Sequence, residues 1–126
     1  MKELVIEFLK PEFSVCKLRE LTAAALGGEF VFVGKTDKEL SLVCPTAEVP
    51  GDGAVLARDD GWRAFRVVGV LDFSLIGILA RISKVLADAK IGIFAVSTFN
   101  TDYVLVKSEN AGRAAAALAA AGFEII

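Results

Sequence analysis

Residues 63–107, RAFRVVGVLDFSLIGILARISKVLADAKIGIFAVSTFNTDYVLVK, change hydrophobic period three times, and those changes decide the fold. Arg63 to Leu71 is an apolar, β-branched run and predicts a strand. From Ser74 to Lys90 the apolar residues Leu75, Ile78, Leu79, Ile82, Val85, Leu86 and Ala89 recur at three- and four-residue intervals, which predicts a helix with one apolar face. Arg81, Lys84 and Asp88 fall on its other face, and Asp72 or Ser74 can supply the oxygen that caps its first turn. Ile91 to Ser97 and Asp102 to Lys107 then read as two strands joined by Thr98-Phe99-Asn100-Thr101.

Beyond this stretch, Ser108 caps an alanine-rich helix to Ala121, Gly122 stops it, and Phe123 to Ile126 forms a last short strand. The order βαββαβ predicts an α+β, ferredoxin-like unit: an antiparallel sheet with two helices on one face. The alanines at 114–117 and 119–121 carry high helix propensity. They also leave little bulk, which suits a close helix or subunit contact.

The first half reads differently. Glu3 to Leu9 and Phe13 to Leu18 alternate as strands on either side of Pro11. Arg19 to Leu26 predicts a short helix ended by Gly27-Gly28, and Phe30 to Val33 and Leu40 to Cys44 flank the polar turn 35–38 as a hairpin. The segment 45–61, dense in Pro, Gly and Asp, reads as a long connection. Two modules are therefore expected, 1–60 and 61–126.

Composition narrows the chemistry. The chain has 126 residues, 55% of them hydrophobic, with a mean hydropathy of +0.58, so disorder is excluded and a sizeable core is available. The net charge is -2, against the basic excess usual for a nucleic-acid binder; residues 1–60 carry 7 basic and 11 acidic side chains, residues 61–126 carry 7 and 5. There is no histidine, which removes histidine as base, nucleophile activator or metal ligand. Met1 to Pro11 lacks the pattern of a signal peptide, and no uncharged run reaches the roughly 18 residues of a membrane span. A cytoplasmic protein is expected. Cys16 and Cys44 have no metal spacing; they read as two reduced core cysteines, with a disulfide or redox pair as the alternative.

Other motifs dissolve on inspection. Gly34-Lys35-Thr36 lacks the P-loop glycine, because Glu29 stands in its place. Asp59 and Asp60 sit beside Gly61 and read as solvated loop carboxylates, and no carboxylate spacing suggests a metal. What remains is the corner Asp72, Phe73, Ser74 and Gly77, with the hairpin Ser97, Thr98, Asn100, Thr101 and Asp102. Free N–H groups at a helix start favour a carboxylate, Gly77 allows close approach, and Asp102 offers a counter-charge for an ammonium. Helix capping and a polar hairpin explain the same residues without a ligand.

The runs Leu71 to Leu79 and Ile91 to Val106, above all STFNTDYVLV, resemble the ACT domain as it occurs in small tandem-ACT proteins and in the CASTOR arginine sensor. They are similar, more loosely, to the regulatory modules of aspartate kinases. The resemblance implies tandem ferredoxin-like modules that sense a small molecule, usually an amino acid, at a module or subunit interface. It implies no catalytic residue, cofactor, metal, nucleic acid or membrane, and as partners a homodimer or a regulated enzyme. By position, Asp72, Phe73, Ser74, Ile76 and Gly77 would line one wall of the site, and Phe94, Ser97, Thr98 and Asp102 the other. Gly77 lies five residues after Asp72 rather than in a short D-x-x-G corner, and Phe94 stands where the kinases have an acidic residue. Residues 1–60, including Glu39 to Pro45, resemble a degenerate first module. The alternative is a ligand-free interaction module that oligomerises or docks on a metabolic enzyme.

Overall fold

A computed structural model describes residues 4–51, 53–69 and 76–126. The chain forms two compact units, residues 1–10 with 63–126, and residues 11–62. Two long strands, β1 (Val5–Leu18) and β4 (Val55–Val67), contribute residues to both.

In the first unit the strand order is β7 (Glu124–Ile125), β1, β4, β6 (Asp102–Lys107), β5 (Phe94–Ser97). The predicted α+β arrangement, a largely antiparallel sheet with both helices on one face, is present. It carries one extra strand, since β1 lies between β7 and β4. Backbone bonds Val68 N to Val5 O and Arg19 N to Ala54 O, 2.8 and 2.7 Å, show β1 antiparallel to β4. An inserted antiparallel strand reverses the relation of the next one, so β7 pairs with β1 in parallel, Val5 with Glu124 and Ile6 with Ile125.

Alternation decides which side chains go under the helices. Ile6, Phe65, Val67, Val104 and Val106 point to one face, where Ile82 and Leu86 of α1 (Ile78–Asp88) and Ala114 and Leu118 of α2 (Ala111–Ala120) close the core. The helix from Ser74 is corrected: α1 begins at Ile78. Its N-cap is Gly77 at φ +86°, a conformation no helix interior adopts, so the apolar period cannot continue as helix through it. The Asp72 and Ser74 caps lie outside the described residues. Ser108 does not cap α2 directly either; it opens a 3₁₀ turn, Ser108–Asn110, and Asn110 takes the N-cap position. Gly122 stops the helix as expected, at φ +104°.

Each helix is held at its carbonyl end by an arginine of the other. Arg81 of α1 donates from Nη2 to the Ala121 carbonyl at 2.7 Å, with its guanidinium 4.5 Å from the Phe123 ring centroid. Arg113 of α2 donates from Nη1 to the Ala89 carbonyl at 3.0 Å and from Nη2 to Asn110 Oδ1 at 3.2 Å. A cation there meets both orphan carbonyls and the negative end of the helix dipole. The pairing also holds their directions in place: start of α1 with end of α2, and end of α1 with start of α2.

In the second unit the order is β2 (Phe32–Lys35), β3 (Leu40–Pro45), β1, β4. The predicted hairpin is present, with Lys35 opposite Leu40. The other expectations here need correction. β1 runs unbroken through Pro11, which falls between the stretch paired with β7 and the stretch paired with β3, where its missing N–H removes no bond of those ladders. The helix expected at 19–26 is only a 3₁₀ turn, Ala23–Leu26, capped by Thr22 and closed by Gly27. The long connection ends early, because β4 begins at Val55 and includes Asp59 and Asp60. Leu56 to Asp60 are exposed, so neither face of that strand shows the apolar alternation by which strands are read. Asp60 is not a freely solvated carboxylate. It accepts from the buried Ser14 hydroxyl at 2.5 Å and from Arg58 Nε and Nη2, both at 3.0 Å. Ser14 Oγ also lies 2.8 Å from Thr46 Oγ1.

Cys16 and Cys44 are free thiols in the core of this unit, with Leu18, Ala25 and Leu42. Cys16 pairs with Leu42 and Cys44 with Ser14, so the cysteines are diagonal rather than directly opposed neighbours. Burial first, and the neighbouring Cys16 next, push Cys44 from 9.0 to about 11.

Arg81→Met should cost about 1–2 kcal/mol and lower Tm by roughly 3–6 °C in calorimetry, and Arg113→Met should add to it nearly independently. Equal stability of the Arg81→Met protein would mean the helix ends need no cation. The buried thiol favours its neutral form in the folded state, so that share of stability is complete below pH 9 and is lost as pH rises toward 11. Denaturant titrations of the wild type should show this loss, and Cys44→Ala should flatten it.

Candidate functional site

Helix direction determines which segments meet. α2 starts where β6 ends and Arg113 joins that end to the end of α1, so α1 starts at the opposite end of the sheet. That is the end where β5 turns into β6. It is also the end of β4, because the Thr101 hydroxyl donates to the Val67 carbonyl at 2.7 Å. The start of α1 and the hairpin therefore share one end of the first unit.

The hairpin is built on its own hydroxyls. Thr98 N and Oγ1 both donate to the Thr101 carbonyl, at 2.9 and 2.8 Å, and Thr101 N donates back to Thr98 Oγ1 at 3.3 Å. Ser97 and Asp102 are register partners, and Ser97 Oγ donates to Asp102 Oδ1 at 2.6 Å. Among the described residues this is the one hydrogen bond of the Asp102 carboxylate, which leaves Oδ2 for another donor. Phe99 is 80% exposed at the tip and Ile76 is 93% exposed before α1.

Of the candidate residues, Ser97, Thr98 and Asp102 come together, and Ile76 and Gly77 lie at the same end of the unit. Asp72, Phe73 and Ser74 lie outside the described residues. Phe94 is directed elsewhere. It pairs with Leu105, whereas Ser97 pairs with Asp102, two residues before core-facing Val104. Phe94 is on the face away from the helices, and Ser97 and Asp102 are on the helix side.

Two features escaped the sequence reading. Arg81 places a cation in the first turn of α1, though its guanidinium is held by the Ala121 carbonyl and Phe123. On the opposite sheet face Arg66 donates from Nε and Nη2 to Glu7 Oε1, at 3.1 and 3.0 Å, and from Nη1 to the Tyr103 hydroxyl at 3.3 Å. The hydrogen bond to Tyr103, then that to Glu7, raises the Arg66 pKa against partial burial. Strand alternation alone puts Glu7, Arg66 and Tyr103 on one face, but strand order was needed to make them neighbours. Among the described residues no cluster of three or more His, Cys, Asp or Glu could hold a metal, and no helix is long and apolar enough to cross a membrane.

The ACT domain profile matches residues 57–120. Protein Atu0741 from Agobacterium tumefaciens is 34% identical, with a TM-score of 0.88, over 100% of this chain and 94% of that one. The regulatory subunit of aspartate kinase from Thermus thermophilus, in its ligand-free form, is 12% identical with a TM-score of 0.71, over 98% of this chain and 100% of that one. A Vibrio cholerae protein of unknown function, VC0802, described as a possible transport protein, is 18% identical with a TM-score of 0.73, over 94% and 89%. No curated protein matches. The sheet with its two helices and the profile match over residues 57–120 agree: the chain belongs to the ACT domain family.

Proposed function

We propose that this chain is a non-enzymatic regulator that binds a small amino acid where the start of α1 faces the hairpin, completed by a second module or a second copy. One observation carries the reading. Among the described residues Asp102 has one oxygen oriented by Ser97 and the other uncommitted, at the sheet end where the first N–H groups of α1 have no intrahelical acceptor. A carboxylate suits the helix start and an ammonium suits Asp102, so the two complement a zwitterion. Gly77, with no described residue within 4 Å of an added Cβ, leaves room for a ligand over that turn. Ser97 and Thr98 position the acidic wall, and Ile76 and Gly77, at the start of α1, stand on the other side. The likeness to a kinase regulatory subunit supports regulation, and the absence of histidine supports binding without bond breaking. In this reading 61–126 is the sensing module, 1–60 is its degenerate companion, and the protein acts in the cytoplasm on an enzyme partner.

The exposed Ile76 and Phe99 favour a second reading, an interaction module without a ligand, since large apolar side chains at one end of a unit suit a protein contact.

Calorimetry against the twenty amino acids separates the two. Binding of at least one is expected, and Asp102→Asn, with circular dichroism unchanged, should weaken it tenfold or more, about the 1.4 kcal/mol or greater of a charge-assisted bond. Silence across the panel at millimolar concentration, with a sedimentation profile indifferent to every amino acid, would leave only the interaction module.

A further inference from the structure

We infer that residues 19–31 form a lid that opens apart from the rest of the chain and makes Cys16 and Cys44 a gated modification site for a soft electrophile. The two thiols lie on one face of the second unit's sheet, with Leu18 and Leu42, and both are buried. What covers them differs from what covers the first unit. There α1 and α2 lie on the sheet. Among the described residues the second unit has no α-helix, and its covering segments hold two 3₁₀ turns, Ala23–Leu26 and Thr46–Glu48. A turn this short gains little cooperative stability of its own.

The lid is tied at its ends and loose between them. Arg19 donates from N to the Ala54 carbonyl at 2.7 Å and from Nε to the Gly53 carbonyl at 3.1 Å, and at the other end Phe32 opens β2. Between these anchors, among the described residues, the hydrogen bonds of Thr22 to Gly27 close within the turn. Ala25 N donates to the Thr22 carbonyl and hydroxyl, at 3.1 and 3.4 Å, and Gly27 N to the Ala24 carbonyl at 3.3 Å. Side chains add little. Leu21 and Leu26 are 40% and 52% exposed, while Ala25 alone of this segment is buried in the thiol cluster and Val31 packs against it in part. Swinging the segment outward breaks no strand ladder and exposes little apolar surface, which places it at the low end of local opening free energies. Closed, burial holds Cys44 at about 11 and nearly free of thiolate; open, the thiol returns toward the ordinary 9.0. The thiolate then adds to the β-carbon of an α,β-unsaturated carbonyl. A carbon–sulfur bond forms, the carbon–carbon π bond breaks, and the α-carbon takes from water the proton that the thiol gave up. Nothing leaves and no oxidant is consumed. This site is independent of the amino-acid site proposed for the first unit.

The test is N-ethylmaleimide labelling of the full chain, read cysteine by cysteine by peptide mass spectrometry, over a urea series that stays below the unfolding transition. Both thiols should label at a rate that barely changes with urea, because opening the lid exposes little surface. Ala25→Gly, which loosens the lid, should raise that rate about fivefold. Ile82→Val, a mild truncation in the core of the first unit, should leave it unchanged. If the thiols are reached only by global unfolding, the rate instead climbs steeply with urea and Ile82→Val raises it about two- to tenfold. That pattern, or labelling no faster than global unfolding permits, would overturn the lid. Asp102→Asn should leave the labelling as it is, so failure of the lid and failure of the amino-acid site are separable.

Discussion

Reciprocal capping of the two helices is the constraint on which the first unit depends. Alternation along the strands selects a buried face, but an apolar face does not choose the direction in which a helix crosses it. Connectivity makes that choice, since β4 ends where β5 turns into β6 and β5 begins at the opposite end, and Arg81 on the Ala121 carbonyl and Arg113 on the Ala89 carbonyl hold the result in place. Each neutralises the negative end of one helix with a side chain rooted near the positive end of the other. The small side chains of α2 let the helices approach, with Ala114 and Leu118 buried against the core. The start of α1 is thereby delivered to the hairpin end of the sheet.

The hairpin shows how a short polar turn becomes rigid. Thr98 uses its backbone and its hydroxyl on Thr101, and Thr101 uses its own hydroxyl on Val67. With these donors consumed internally, the acidic side chain at the base of the turn remains the group with capacity to spare. A preordered carboxylate loses less conformational entropy on meeting a cation than a mobile one would.

How much was legible in the residues follows from which faces they bury. β6 reads correctly from Asp102 to Lys107 because it alternates beside a polar turn, and the periodic face around Ile82 and Leu86 locates α1. The start of α1 was not legible. Leu75 and Ile78 satisfy the helical period on both sides of Gly77, and only backbone angles reveal the break. The first part of β4 was hidden because Leu56 to Asp60 bury neither face, and a strand that buries nothing resembles a loop. The insertion of β1 beside β7 was hidden too, since a local pattern identifies a strand but not its neighbour. In the candidate site, the Ser97–Asp102 pair follows from hairpin register, whereas the placement of Phe94 on the other face needed strand alternation to be applied across the pair.

That unburied segment of β4 has a consequence of its own. As the outer strand of its unit, it would be a template on which further chains could polymerise if it were smooth and oily. Instead it carries Arg58, Asp59 and Asp60 in succession, followed by Gly61 at φ +83°, which breaks the regular pleat. The same residues that make the segment illegible as a strand also make it a poor template for edge pairing.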